Sequence, residues 1–187
     1  MSDPIWTAPL SAFVDRISSL DPVPAGVSAA AVTATLGLAL LTKVLEVVRK
    51  RKDFSGDRGL VASLLHEARN KSQILVQLAD EDMVAFREYL DCVRRKESTA
   101  AALRRAIEVP LNVARAAVAG RELCGQATGL AHAFVAPDLG TARELLSAAA
   151  RSALLTVDAN LEQLPASDTD RVEMSAVTRQ LRSALGD

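Results

Sequence analysis

Between Pro22 and Thr42 the chain carries no charged side chain, and the span opens as Asp21-Pro-Val-Pro-Ala-Gly-Val-Ser-Ala-Ala-Ala-Val32. A run of about 20 uncharged residues is long enough to cross a bilayer. This one is built mainly of Ala, Thr, Ser, Gly and Val, with prolines at its start, so its transfer into lipid is weakly favoured. The acidic opening Met-Ser-Asp-Pro-Ile-Trp also lacks the basic region of a secretory signal. The expectation is a buried central helix and no membrane. Its small residues allow close backbone approach on more than one side, which suits the middle of a bundle or a contact between subunits.

A chain of 187 residues fits one domain, drawn here over 1–187, long enough to bury roughly 70 % of the surface it exposes when unfolded. Cys92 and Cys124 lack a paired spacing, and His66 and His132 stand apart from them, so no metal site and no cofactor are expected. The two cysteines read as packed thiols of a reducing, cytoplasmic compartment. With 22 basic and 23 acidic residues there is no overall field to attract nucleic acid, and 3 % aromatic content argues against base stacking. The basic run Arg49-Lys-Arg-Lys52 is either an anion contact or a solvated helix end favoured by the helix dipole.

Ala and Leu dominate and strand-like alternation is absent, so the chain reads as all-α: an antiparallel bundle of five to six helices with a kinked long helix. The first helix runs from Leu10 to Leu20 with Phe13, Ile17 and Leu20 on one face, stopped by Pro22 and Pro24. The second runs from Gly26 or Ser28 to Lys52, with Ser28 as its N-terminal cap. The third covers Gly59 to Lys96, with Leu60, Leu64, Ala68, Leu75, Leu78, Val84, Leu90 and Val93 at helical spacing and a bend at Asp80-Glu-Asp82. The fourth begins near Ser98 or Thr99 and is kinked or divided at Pro110. The fifth follows Pro137, capped by Asp138, and reaches Leu161; a last helix ends near Leu185.

In Leu-Ala-Asp-Glu-Asp-Met-Val-Ala-Phe-Arg-Glu-Tyr-Leu90, the four-residue step from Asp82 to Phe86 puts both on the face of Leu75, Leu78 and Ala79. At least one of Asp80 and Asp82 therefore turns toward apolar surroundings, unless a bend exposes both to solvent. A carboxyl held there has its pKa raised and can act as general acid or base near neutral pH.

Five segments in order, FVDRISSLDPVPAGVSAAAVTATLGLAL, LADEDMVAFREYL, EVPLNVA, PDLGTARELL and ALLTVDANL, resemble the cyclodeaminase and methenyltetrahydrofolate cyclohydrolase family over roughly residues 10–165. The resemblance implies an all-α bundle that dimerises and binds a small molecule, folate, in a cleft. Asp80, Asp82, Ala85 and Phe86 match the family's paired-aspartate pattern, which implies Asp82 as the proton carrier with Asp80 beside it. It also implies ligand contacts at Pro24, Gly26, Ser28, Asp138 and Asn160, while Arg51 and Lys52 would hold a glutamate tail. In the family the glycine-rich turn brings backbone N–H groups and a bare helix N-terminus to the ligand. Here Pro-Gly-Gly-Gly-Ser has become Pro24-Ala-Gly-Val-Ser28, the Ser before the fifth-helix Asp is Pro137, and a family Asn is Thr156.

A retained acid beside an altered cradle leads first to a cyclase, dehydratase or C–N lyase acting on a non-folate small molecule in specialised metabolism. The alternatives are a methenyltetrahydrofolate cyclohydrolase or formiminotetrahydrofolate cyclodeaminase, and a non-catalytic helical binding protein. His132 reads as a surface residue or a cleft residue, Tyr89 as a core aromatic or a hydrogen-bond donor into the cleft, and Glu46 as the ion-pair partner of Arg49 and Lys50.

Overall fold

A computed structural model describes residues 5–186; the acidic opening at 1–4 and the final Asp187 lie outside them. The elements are a short 3-10 turn, η1 (Ile5–Thr7), and six helices: α1 (Leu10–Ile17), α2 (Gly26–Lys50), α3 (Arg58–Arg95), α4 (Ala100–Ala127), α5 (Ala136–Leu161) and α6 (Thr169–Leu185). Local chemistry accounts for their ends. The Asp57 carboxylate accepts from the N–H groups of Gly59 (2.7 Å) and Leu60 (3.0 Å), satisfying two donors that α3 leaves open. Asp168 caps α6 in the same way, and Gly186 closes that helix in the left-handed conformation at φ 83°.

Helices α2 to α5 form an up-down-up-down bundle. Ser28 meets Asp82 and Glu46 meets Arg69, so α2 and α3 are antiparallel. Arg105–Glu88 sets α4 against α3, and Lys43–Asp138 sets α5 against α2. Among these four, α2 packs against all three others. By length and composition α2 could cross a membrane, but half of its most apolar window is buried inside the bundle. Close approach is built on glycine. A Cβ on Gly37 would lie 2.8 Å from Leu146 Cγ, and one on Gly120 would lie 3.0 Å from Leu146 Cδ2, so the buried Leu146 of α5 sits between two bare backbones.

Several expected details are corrected. Helix α1 stops at Ile17, and of Phe13, Ile17 and Leu20 only Phe13 is buried. The residue before α2 is Ala25, and Ser28 lies inside the first turn with its hydroxyl directed to α3 rather than to its own backbone. Leu60, Val84 and Val93 of α3 are exposed, whereas Val61, Leu65 and Met83 are buried, because α3 has neighbours on only part of its circumference. The helix is continuous through Asp80–Asp82.

Pro110 does not divide α4. Its missing N–H leaves the Ala106 carbonyl without the usual partner four residues on. Asn160 Nδ2 of α5 donates to that carbonyl at 2.8 Å. An amide from a neighbouring helix thus replaces the bond that proline removes. Asp138 is not a cap either: α5 starts at Ala136, and Asp138 in its first turn pairs with Lys43 at 2.7 Å.

Candidate active site

At the N-terminus of α2, the wall of α3 carrying Asp82 and Phe86 meets Thr156 of α5. Together with Val23, Ala25, Gly26 and Val27 they enclose a cavity of about 220 Å3. The lining is apolar apart from the Asp82 carboxyl, the Thr156 hydroxyl and backbone groups.

Asp82 is 9 % exposed, and its Oδ2 accepts from Ser28 Oγ at 2.7 Å. Burial pushes the carboxyl above its ordinary range, partly opposed by the Ser28 hydroxyl and backbone N–H, which favour the charged form. Such a group keeps its proton to higher pH than an exposed carboxyl and can exchange it with a reacting atom that comes within hydrogen-bond reach. The Asp82–Phe86 spacing thus places an acid and an aromatic wall in one pocket, as the sequence predicts.

The expected partners divide into three groups. Gly26 and Phe86 line the cavity with Asp82, and Ser28 touches Asp82 from behind it. Asp80 points elsewhere, because two residues on a helix are separated by about 200°. Its Oδ1 accepts from the backbone N–H of Ile5 at 3.2 Å and so anchors the N-terminal segment across α3. Pro24 is buried, joined to Val23 by a cis peptide, and does not line the cavity.

Arg51, Lys52 and Asp138 lie at the far end of the bundle. About 35 Å of helix, at 1.5 Å per residue, separates Ser28 from Arg51, and antiparallel α5 starts beside that same end of α2. Arg51 is bound to Asp53 at 2.7 Å and, with His132, lines a separate cavity of about 430 Å3 between the α2–α3 and α4–α5 connections. The hydrogen bond and charge of Arg51 hold Asp53 below the usual carboxylate range. Asn160 is committed to Ala106 and does not line the Asp82 cavity.

The remaining candidates resolve similarly. The Tyr89 hydroxyl donates to Gln163 Oε1 rather than into the cavity, while its ring stacks on Phe86 with centroids 6.3 Å apart. Glu46 pairs with Arg49 and also with Arg69, each at 2.7 Å. Cys124 is buried, and its thiol is pushed up to about 11 by desolvation, which keeps it protonated and unreactive. Ala25 and Val27 line the cavity as part of the altered turn read from the sequence, whereas Val23 and Thr156 were not expected there. The signal for Thr156 was its four-residue step to Asn160, which places both on adjoining parts of one α5 face.

A family model described as formiminotransferase-cyclodeaminase matches residues 9–179. The chain is 27 % identical over 192 aligned residues to formimidoyltransferase-cyclodeaminase of Gallus gallus, a match over 95 % of this chain and 35 % of that protein. It thus spans about a third of the length of that curated relative. The crystal structure of formiminotetrahydrofolate cyclodeaminase from Thermotoga maritima shares the fold with a TM-score of 0.91 at 22 % identity, covering 97 % of this chain and 92 % of that one.

Proposed function

The chain belongs to the formiminotransferase-cyclodeaminase family, and from that premise we propose that it is a folate enzyme in which Asp82 carries the proton of a cyclodeaminase reaction. The single observation that carries the reading is the buried Asp82 carboxyl, raised in pKa and facing an apolar cavity. In the forward step N10 of a formiminotetrahydrofolate attacks the formimino carbon, and a C–N10 bond forms. Asp82 takes the proton that N10 gives up and delivers it to the exocyclic nitrogen. That nitrogen then leaves as ammonia as its bond to carbon breaks, and the methenyl cation remains. Starting from the amidinium form, charge and atoms balance with no co-reactant. Hydration of the methenyl carbon, the cyclohydrolase reaction, would use the same acid with water as nucleophile.

The names of the relatives favour this alternative over a non-folate cyclase, dehydratase or lyase of specialised metabolism, for which the comparisons offer no support. Ala25 and Val27, standing where the resemblance has glycine, line the cavity with apolar side chains and leave the Asp82 carboxyl in place.

The active form we propose is a homodimer. On its outer face α2 presents Ala29, Thr33, Leu36 and Leu40 at alternating four- and three-residue steps, and the adjoining α5 presents Thr141, Leu145, Ala148, Ser152 and Leu155 in the same rhythm. Both stripes are uncharged, partly or fully exposed, and have the seam spacing of paired helices. A two-fold axis near Leu36 would set two α2 helices antiparallel. The basic end of the partner's α2 would then lie beside the entrance to the Asp82 cavity, where Arg51 and Lys52 of the partner subunit could meet a glutamate tail.

The test is calorimetry with 5-formyltetrahydrofolate together with ammonia release from 5-formiminotetrahydrofolate, for the wild type and Asp82→Asn. Binding by both proteins, with turnover lost only in the variant by about 100-fold or more, is the expected result. Absence of binding at millimolar ligand would overturn the folate reading.

A further inference from the structure

Thr156 stands on the α5 wall of the cavity that holds Asp82. Thr33, Thr35, Thr141 and Thr178, also inside helices, each return their hydroxyl to the carbonyl four residues back at 2.8–3.0 Å. Helical threonines commonly satisfy themselves this way. The hydroxyls of Thr42 and Thr156, both partly buried inside helices, make no hydrogen bond to another described residue, and of the two only Thr156 lines the Asp82 cavity.

Its position is held from two sides. One turn further along α5, Asn160 is fixed to the Ala106 carbonyl of α4 and accepts from Gln163 Nε2 at 3.5 Å. Gln163 in turn accepts from Tyr89, whose ring stacks on Phe86 of the α3 wall. The chain Tyr89–Gln163–Asn160 thus joins the α3 and α5 walls just beyond the cavity and fixes the rotation of α5 that presents Thr156.

We propose that Thr156 is a positioning residue for the reaction assigned to Asp82, its hydroxyl oxygen accepting a hydrogen bond from the exocyclic nitrogen of the substrate and turning that nitrogen toward the acid. The inference rests on the proposed cyclodeaminase function. Asp82 and Thr156 are the only polar side chains lining this cavity among the described residues, so a nitrogen bearing two or three hydrogens has two places to donate. The bond to Thr156 strengthens as the nitrogen gains its proton and positive character before leaving, so it acts mainly on turnover. A hydroxyl also exchanges donor and acceptor roles freely, which an amide held in one orientation does not.

The experiment measures kcat and KM for ammonia release from 5-formiminotetrahydrofolate in Thr156→Val and Thr156→Ser, with folding checked by circular dichroism. Thr156→Val keeps shape and removes the hydroxyl, and its kcat is expected to fall by about tenfold or more with KM within about threefold. Thr156→Ser keeps the hydroxyl and is expected to restore most of kcat. Wild-type kinetics in Thr156→Val, or equal impairment in the two variants, would overturn the assignment and reduce Thr156 to packing. A wild-type protein that releases no ammonia would overturn the underlying function and this assignment with it.

Discussion

Ser28 and Asp82, 54 residues apart in the chain, share a 2.7 Å hydrogen bond that ties the first turn of α2 to the middle of α3. The bond has opposite effects on the acid and on the fold. It favours the charged carboxylate against the burial that raises its pKa, and it satisfies a hydroxyl that is itself fully buried. Ser28→Ala removes the larger of the two influences that oppose burial and leaves only the backbone N–H of residue 28 against it. The Asp82 pKa then rises further, and the acid limb of the pH–rate profile for ammonia release moves to higher pH. Stability falls by about 1–3 kcal/mol for the lost partner of a buried group, read from urea denaturation. An unmoved acid limb would show that another group titrates in the rate.

Asp82→Asn acts on stability in the opposite direction. Because the folded pKa lies above the unfolded one, the charged form is the one that the fold disfavours. The penalty is absent while both states are protonated, below the ordinary carboxyl value of 3.8. It grows as pH rises from there through the folded pKa, and is constant above it. The variant is therefore expected to melt at a higher temperature than the wild type at pH 7. The gap should narrow steadily as pH is lowered toward 3.5. A stability gap independent of pH would mean that Asp82 ionises with an unshifted pKa.

Much of this site could be read from spacing alone, and the unread part has a physical reason. The step from Asp82 to Phe86 is a one-helix relation, and it placed both on the cavity wall. The helix starts were less legible: the sequence points to Ser28 and Asp138 as caps, which they are not, while the capping carboxylates of α3 and α6 belong to Asp57 and Asp168. Arg51, Lys52 and Asp138 failed as neighbours of Asp82 because that grouping ignored the length of α2, which carries its two ends to opposite ends of the bundle. Asp80 failed because its partner, Ile5, belongs to a segment whose docking no periodicity reveals. Asn160 was half legible. A proline within a helix leaves a carbonyl to be satisfied, but which of the neighbouring amides reaches it depends on the packing of α5 against α4.

That pairing makes a double-mutant cycle informative. Asn160→Ala leaves the Ala106 carbonyl without either partner and is expected to cost about 1–3 kcal/mol. Pro110→Ala restores the intrahelical N–H and makes the Asn160 amide redundant. In the Pro110→Ala background, removing Asn160 should therefore cost at least about 1 kcal/mol less than it does alone. Additive effects across the four proteins, measured by urea denaturation, would show that Asn160 stabilises the fold by some other contact.

The proposed dimer predicts a position-specific charge effect. Leu36 is 54 % exposed at the centre of the uncharged α2 stripe, whereas Val172, 60 % exposed on α6, lies outside it. Leu36→Glu places a charge at the seam and is expected to shift the sedimentation profile from dimer to monomer and to weaken ammonia release. Val172→Glu serves as the control and should leave both unchanged. A wild type that sediments as a monomer at the assay concentration would remove the dimer from the reading.

Two glycines of α2 are expected to respond in opposite ways to the same added methyl. At Gly37 the new Cβ would lie 2.8 Å from Leu146 Cγ and 3.0 Å from the Ala142 carbonyl, and Leu146 is already hemmed in by Gly120. Gly37→Ala must push α2 and α5 apart or force Leu146 off its rotamer, at a cost of about 1–3 kcal/mol. At Gly26 nothing lies within 4 Å of the added carbon, and the residue occupies the first helical position without a left-handed backbone. Gly26→Ala should leave stability unchanged or raise it by up to about 1 kcal/mol through the unfolded chain. Its methyl enters the edge of the cavity instead. The expected signature is a weaker affinity for 5-formyltetrahydrofolate in calorimetry with no loss of melting temperature. A destabilised Gly26→Ala with unchanged affinity would show that this glycine serves the turn, and that the space beside it is not used by the ligand.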